Sequence, residues 1–256
     1  MTAVSATVHL YKMRIDVYLA ENGIVASRTE AKRFIDEGAV FVDGKQISKP
    51  SYDVDGTESI SVDKTVKEFV SRGGLKLKGA LAHFGVSVDG RYCLDVGASS
   101  GGFTDCLLKA GATHVIAVDS GSGQLAEVLR RDERVTVFEN YNARYMKRDD
   151  FEYTPDLAVM DVSFISATYI IPAIYDVLAD SSDFVCLIKP QFEVGRSGLG
   201  KGGIVKDSKA RDLAVKKVVD FAVSTGFSVK GTVQSSIKGG DGNIEFLAHF
   251  VKVKGV

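Results

Sequence analysis

An apolar run that stops at a glycine-rich turn, YCLDVGASSGGFT from Tyr92 to Thr104, commits this chain to a strand, a tight turn and a helix in succession. These are the parts of the first βα unit of a Rossmann-like domain, in which ligands lie outside the carboxyl ends of parallel strands. The spelling of the turn narrows the ligand. A dinucleotide fingerprint, G-x-G-x-x-G, needs its second glycine so that backbone can approach a pyrophosphate; here Ser99 stands at that position between Gly97 and Gly102. The turn therefore predicts a nucleotide-type ligand without phosphates, held by Gly97, Ala98, Ser99, Gly101, Gly102, Phe103 and Thr104.

With 256 residues, 45% of them hydrophobic, the chain can build one large domain or a medium and a small one. No apolar run approaches the roughly 18 residues of a membrane span, and Tyr169 to Leu178 is interrupted by Pro172 and Asp176. Residues 1–12 lack the basic start and apolar core of a signal peptide and are expected to form a disordered extension. Cys93, Cys106 and Cys186 lie in or beside apolar segments with no CxxC pair, which predicts a reducing cytoplasm and no metal site. A net charge of −1 means that any surface for nucleic acid must be local.

Residues 13–62 read as a small α+β unit. RIDVYLAENG has helical periodicity ending at Gly23; Ser27 and Glu30 have capping-box spacing ahead of a second helix with Ala31, Phe34 and Ile35 inward. Val40 and Val42 alternate with polar neighbours, Asp43-Gly44 is a type I′ turn signal, and a strand is expected at Ser59 to Val62. Arg28 and Lys32 stand one helical turn apart beside Arg33, and Lys45 and Lys49 follow on the hairpin, a one-sided basic face suited to phosphates. A solvated helix face accounts for the same residues, since residues 1–66 hold eight Lys or Arg against ten Asp or Glu. The pattern Arg14, Asp16, Leu19, Ser27-Arg28, Ala31, Ile35, Gly38, Val40, Val42-Asp43-Gly44 resembles the RNA-binding domain first seen in ribosomal protein S-four. That resemblance implies RNA contacts at Arg14, Arg28, Lys32, Arg33 and Lys49.

Residues 63–74 form a polar linker ending in Ser71-Arg72-Gly73-Gly74, where Arg72 is a further candidate RNA contact. Residues 75–256 alternate between helical and strand patterns. Strands are expected at Tyr92–Val96, His114–Val118, Val135–Phe138, Leu157–Met160, Phe184–Ile188, Ser228–Gln234 and Ile244–Val251. The last two are joined by a connection too short for a crossover helix and so are expected to be antiparallel. The fold class is α/β: a Rossmann-like, seven-stranded, mostly parallel sheet, with the strand arrangement of S-adenosylmethionine-dependent methyltransferases by resemblance.

Asp119 ends the second of these strands, 22 positions after Gly97, where an acid accepts hydrogen bonds from ribose hydroxyls; an exposed turn aspartate would look the same. Asn142, just past the third strand, is placed to face an adenine. Asp161 follows the strand DLAVM, Lys189 follows FVCLI, and Glu245 lies near the start of an antiparallel last strand, so all three reach one sheet edge. From Cys186 to Lys217 there are eight Lys or Arg against three Asp or Glu. This glycine-rich stretch, with Arg196 and Lys201, reads equally as an RNA-closing loop or a solvated one.

The segments SRGGLKLKGAL, LDVGASSGGFTD, VMDVSFIS, LIKPQFEVG and GNIEF resemble the TlyA family, known under the names haemolysin A and ribosomal RNA 2′-O-methyltransferase. The resemblance runs from about Met13 to Phe250 and is FtsJ-like in the second domain. It implies S-adenosyl-L-methionine as cofactor, ribosomal RNA or subunits as partner, and methyl transfer to a ribose 2′-hydroxyl of a cytidine. It also implies a Lys-Asp-Lys-Glu active site at Lys76, Asp161, Lys189 and Glu245, with Lys189 central as base or as a cation beside the developing alkoxide. One departure stands in the connector, where Lys67-Glu68-Phe69-Val70 replaces the Arg-x-Trp-Val of some members.

Gly97-Ala98-Ser99-Ser100-Gly101 also matches a hydrolase nucleophile elbow, with His249 as the one well-placed later histidine and no preceding oxyanion motif. Gly195 to Lys201 matches G-x-x-x-x-G-K, but Gly202 replaces the magnesium-binding hydroxyl. The rival functions are a membrane-active haemolysin, for which the chain shows no export signal or basic amphipathic helix, and a non-catalytic ribosome-binding factor.

Overall fold

The computed structural model describes residues 12–36, 38–63, 69–195, 198–239 and 242–253, the side chains of 33 and 36 excepted. The chain divides into two compact units, residues 1–67 and 68–256.

The first unit runs β1 (Met13–Arg14), α1 (Ile15–Glu21), α2 (Arg28–Asp36), β2 (Val40–Val42), β3 (Lys45–Gln46), β4 (Asp53–Val54) and β5 (Ile60–Val62). β1 pairs with β4, and β2 lies between β3 and β5, all antiparallel. Asp43 and Gly44 take φ of 48° and 74°, the double left-handed conformation of a type I′ hairpin. The cap of α2 differs from a standard box. Ser27 Oγ accepts from the Glu30 amide at 3.1 Å, but the Glu30 carboxylate reaches one residue further back, to the Ala26 amide at 2.7 Å. Ile15, Leu19, Phe34, Ile35 and Val40 fill the core beneath.

In the second unit the order is α3 (Gly73–Phe84), β6 (Tyr92–Val96), α4 (Gly102–Lys109), β7 (His114–Val118), α5 (Glu127–Arg130) and β8 (Val135–Phe138). It continues with β9 (Leu157–Met160), α6 (Ile171–Val177), β10 (Ser182–Ile188), α7 (Ser208–Thr225), β11 (Phe227–Gln234) and β12 (Phe246–Lys252). The seven-stranded sheet is ordered β11-β12-β10-β9-β6-β7-β8, with only β12 antiparallel to its neighbours. Apolar side chains leave both faces because both are covered, as a mostly parallel sheet requires. Leu94, Met160, Phe184 and Phe250 pack with Ile171, Ile174 and Val218 on one face. Cys93, Leu157 and Val185 pack with Leu77 and Leu107 on the other. Each large side chain buried this way stabilises the fold by roughly 1.5–3 kcal/mol.

Helix α3 starts at Gly73, within the stretch expected as linker. The cause is local packing: a Cβ at Gly74 would lie 2.3 Å from the Phe69 ring, so glycine lets Phe69 close onto the helix start. The Val70 amide donates to Asp105 Oδ2 at 2.8 Å, which fixes the chain ahead of α3 onto α4. Lys67 and Glu68 of the divergent connector lie outside the described residues. No helix among the described residues is long and apolar enough to cross a membrane.

Candidate active site

The glycine turn after β6 is held by backbone. Gly97 and Ala98 amides donate to the Val118 carbonyl at 2.8 and 3.1 Å, tying the turn to the end of β7. Gly97 and Gly101 have φ of 84° and 94°, and Ser99 enters the left-handed region at 47°. A Cβ at Gly97 would lie 2.4 Å from the Asp161 carbonyl oxygen. The turn and the end of β9 therefore touch through backbone that only glycine permits.

Asp119, at the tip of β7, accepts from the Ser99 amide at 2.8 Å through Oδ2 and from the Gly121 amide at 2.7 Å through Oδ1. It lines a cleft of about 570 Å³ together with Gly97, Ser99, Gln124, Asn142 and Asp161. Ser99 Oγ donates to Gln124 Oε1 at 3.1 Å. Asn142 Oδ1 accepts from the Arg144 amide and Nε at 3.2 and 3.1 Å, so the side chain holds a local turn at the cleft wall. His249, the histidine an elbow would need, pairs with Asp183 at 2.7 Å. It sits opposite Val185 in the middle of the sheet, away from the strand ends that carry the turn.

A smaller cavity of about 170 Å³ adjoins the cleft and is lined by Ala98, Gly102, Phe103, Lys76, Asp161, Ser163 and Lys189 among others. Lys76 Nζ lies 2.6 Å from Glu245 Oε2, and Lys189 Nζ lies 2.5 Å from Asp161 Oδ1. Lys189 Nζ also donates to Ser163 Oγ at 2.8 Å. The antiparallel register puts Ile188 opposite Phe246, so Lys189 and Glu245 leave the sheet at the same edge. Gly239 gives Glu245 room, since a Cβ there would lie 2.3 Å from its Oε1. The four sequence-predicted residues thus form two ion pairs, three of the four facing one cavity.

Gly101 and Thr104 line neither cavity. Gly101 faces inward, where a Cβ would lie 2.3 Å from Leu129 Cδ1. Thr104 Oγ1 donates at 2.6 Å to Asp95 Oδ2, a carboxylate fully buried behind the turn. Burial pushes the Asp95 carboxyl up to about 7, against the Thr104 hydrogen bond that favours its ionised form.

In the first unit, Arg14 Nε and Arg28 Nη2 lie 2.9 and 3.0 Å from the two oxygens of Asp16, which is wholly buried. Burial opposes ionisation of Asp16, but the two guanidinium hydrogen bonds outweigh it and hold the carboxyl below its ordinary range. Lys32 and Lys49 are exposed, and the Arg33 side chain and all of Arg196 lie outside the described residues. In the second unit Arg72 Nη2 donates to the Lys238 carbonyl at 2.7 Å, and Lys201 is exposed on a short turn, Lys201–Gly203.

Three features escape a reading of the sequence. Asp16 anchors both arginines, a pairing that its place in the Arg14, Asp16, Leu19 pattern does not reveal. Ser163 lines both cavities, and nothing but its place two residues after Asp161 marks it. Phe164 is 91% exposed with φ of 65°, and its ring lies 5.2 Å from Phe192. An aromatic side chain held in that conformation at the rim of a cleft is an outlier that packing does not require.

Residues 69–252 match the FtsJ-like methyltransferase model, and residues 13–60 match the S4 domain. The 16S/23S rRNA (cytidine-2′-O)-methyltransferase TlyA of Mycobacterium tuberculosis is 42% identical over 92% of this chain and 88% of its own length. Two solved structures with provisional names extend the comparison. A hemolysin from Streptococcus thermophilus has a TM-score of 0.76 and 44% identity, covering 96% of this chain and 90% of that one. An S-adenosylmethionine-dependent methyltransferase from Listeria monocytogenes, 13% identical over 72% of this chain and 99% of that one, shares the fold with a TM-score of 0.54. With two domain models in this order and a near full-length relative at this identity, the chain belongs to the TlyA family of FtsJ-like methyltransferases.

Proposed function

We propose that this protein transfers a methyl group from S-adenosylmethionine to a ribose 2′-hydroxyl of ribosomal RNA, at a cytidine. The observation that carries the reading is the cavity shared by Lys76, Asp161, Ser163 and Lys189, opening beside a cleft floored by Gly97, Ser99 and Asp119. Family relatives named for cytidine 2′-O-methylation supply the acceptor class.

The cofactor fits the cleft on the terms of the residues themselves. Asp119 keeps its carboxylate at the strand tip, where each oxygen has a lone pair beyond its backbone bond for a ribose hydroxyl. The turn approaches Asp161 so closely that a β-carbon would fill the space, and its central position lacks the glycine that a pyrophosphate demands. S-adenosylmethionine, when bound, supplies an electrophilic methyl group. Gly97, Ala98, Ser99, Gly101, Gly102, Phe103, Thr104, Asp119 and Asn142 are assigned to shaping its site, Gly101 and Thr104 from behind the turn.

The chain's own work is alignment and charge. Holding the acceptor oxygen in line supplies roughly 7–11 kcal/mol, and a positioned proton acceptor a further ~10²–10⁴ in rate. Lys189, steadied by Asp161 and Ser163, faces the acceptor hydroxyl. As an ammonium it stabilises oxygen charge while the proton leaves to solvent; as an amine it takes the proton itself. Lys76, which lines the same cavity, pairs with Glu245 and completes the electrostatic frame. The exposed Phe164 ring, with the half-buried Phe192 ring beside it, offers a stacking face for a nucleobase at this edge. Arg14, Arg28, Lys32, Arg33, Lys49, Arg72, Arg196 and Lys201 are assigned to RNA backbone.

The test supplies unmodified ribosomal subunits and free rRNA with methyl-labelled cofactor and maps the product. The expected result is a 2′-O-methylcytidine that disappears with Lys189→Ala; no incorporation into any RNA overturns the assignment.

A further inference from the structure

Two loops form the acceptor side of the site. One follows β9 and carries Asp161, Ser163 and Phe164, and the other follows β10 and carries Lys189 and Phe192. They meet first at the Lys189–Asp161 ion pair of 2.5 Å and the Lys189–Ser163 hydrogen bond of 2.8 Å. They meet again through the Phe164 and Phe192 rings, 5.2 Å apart.

A third junction lies deeper, at Glu193, whose side chain is 2% exposed. Its Oε1 accepts from the Ala167 amide at 2.8 Å, and its Oε2 accepts from Ser166 Oγ at 2.6 Å and from Lys217 Nζ at 3.0 Å. Lys217, on α7, also donates to the Glu193 carbonyl at 3.2 Å. A carboxylate this buried persists only when paired and hydrogen-bonded, and every partner of its side chain comes from outside its own loop. The contacts close a ring: from Lys189 through Pro190–Phe192 to Glu193, across to Ser166 and Ala167, and back through Phe164 and Ser163 to Asp161. One attachment would leave the loops free to pivot about the ion pair. Two, at opposite ends, fix their separation and their angle.

We propose that Glu193 is a positioning residue that clamps Ser166 and Ala167 to the segment after β10 and so sets the spacing at which Asp161, Ser163 and Lys189 meet the acceptor nucleotide. What the loops face rests on the methyl-transfer reading; the clamp itself does not. Ser99, Asp119 and Gly121, which build one side of the cofactor cleft, sit on the loops after β6 and β7, where they bond one another and Gln124 and not Glu193. The clamp therefore acts through the loops after β9 and β10 and leaves the Ser99–Asp119–Gly121 side of the cleft in place.

The test compares full-length wild type with Glu193→Gln and Ser166→Ala. Each is measured for S-adenosylhomocysteine affinity by calorimetry, amide hydrogen exchange at residues 163–169, and kcat and KM with unmodified rRNA. Glu193→Gln keeps an acceptor for the Ala167 amide but loses the charged bonds to Ser166 and Lys217. Its kcat is expected to fall ~10- to 100-fold, the cost of misplacing reacting groups by about 1 Å. S-adenosylhomocysteine affinity stays at the wild-type value and exchange accelerates at 163–169. Ser166→Ala shows a smaller change in the same direction, and carries the test alone if Glu193→Gln does not fold. Wild-type exchange and kcat in both variants, or cofactor affinity lost in proportion to kcat, overturns the proposal. Should the wild type methylate no RNA, the activity reading fails. The exchange arm still decides the clamp: faster exchange with unchanged S-adenosylhomocysteine affinity supports it, and unchanged exchange overturns it.

Discussion

Lys76 Nζ lies 2.6 Å from Glu245 Oε2, joining side chains 169 positions apart that are 9% and 3% exposed. Each charge is tolerated in that setting because the other is present. Glu245→Ala leaves an ammonium without its partner, and breaking such a pair costs about 3–5 kcal/mol. Chemical denaturation is expected to report a loss of that order together with lost turnover. Glu245→Gln, which keeps an acceptor, loses less stability.

Lys189→Ala removes the amine held by Asp161 and Ser163 and leaves the bonds of Asp119 to the Ser99 and Gly121 amides intact. We expect kcat to fall by at least ~10², with S-adenosylhomocysteine affinity retained in calorimetry. Lost affinity would move Lys189 from the chemistry to the cofactor site.

Asp119→Ala takes away the acceptor for the Ser99 and Gly121 amides as well as the ribose contact assigned to it. Hydrogen bonds to a charged acceptor contribute roughly 1.5–3 kcal/mol each, so cofactor affinity is expected to drop ~10- to 100-fold. Titration calorimetry checks this, and an unchanged affinity would leave Asp119 a turn residue only.

Gly97→Ala forces a β-carbon to within 2.4 Å of the Asp161 carbonyl at a residue whose φ is 84°. Backbone strain of this kind costs about 1–3 kcal/mol, and relief requires the turn and β9 to part. Cofactor binding and turnover should fall together, unlike the selective loss in Lys189→Ala.

Two carboxylates give stability opposite pH dependences. Burial raises the Asp183 carboxyl, but hydrogen bonds from His249 and Arg91 outweigh it and hold the group below its ordinary range. Its contribution is present above the unfolded value of about 4 and is lost as pH falls through the lower folded one. Asp183→Asn should therefore destabilise at pH 7 and converge on wild type in strong acid. Asp95 is pushed from 3.8 to about 7, so the folded state holds a proton that the unfolded chain releases. A shift of about three units at ~1.4 kcal/mol each makes stability fall by ~4 kcal/mol as pH rises from about 4 to about 7. Urea denaturation of Asp95→Asn across that window should lack this slope.

The order of strands and the edge at which the chemistry gathers were legible because each signal is local. YCLDV ends in glycine, LAVM in Asp161 and FVCLI in Lys189, and a strand followed by its terminal polar residue needs no partner to be read. Glu245 was legible by one further step, the short link that makes β12 antiparallel. The start of α3 was not, because Gly73 and Gly74 look like linker until Phe69 is seen to need the space above them. Thr104 looked like part of the turn's ligand side, but helical rotation turns its hydroxyl inward to Asp95.

By itself, then, the sequence determined the strand–turn–helix at Gly97, the two-unit order, and Asp161, Lys189 and Glu245 as the charges at one sheet edge, while Lys76 entered only through the family resemblance. Tertiary structure alone decided how those charges pair, that Asp16 holds two arginines, and that Glu193 joins the loops on either side of Lys189 and Asp161. Periodicity and turn chemistry act over a few residues and are written along the chain. Charge pairing across 169 positions depends on which side chains the packed sheet and helices leave within hydrogen-bonding reach, and that is settled only when the core closes.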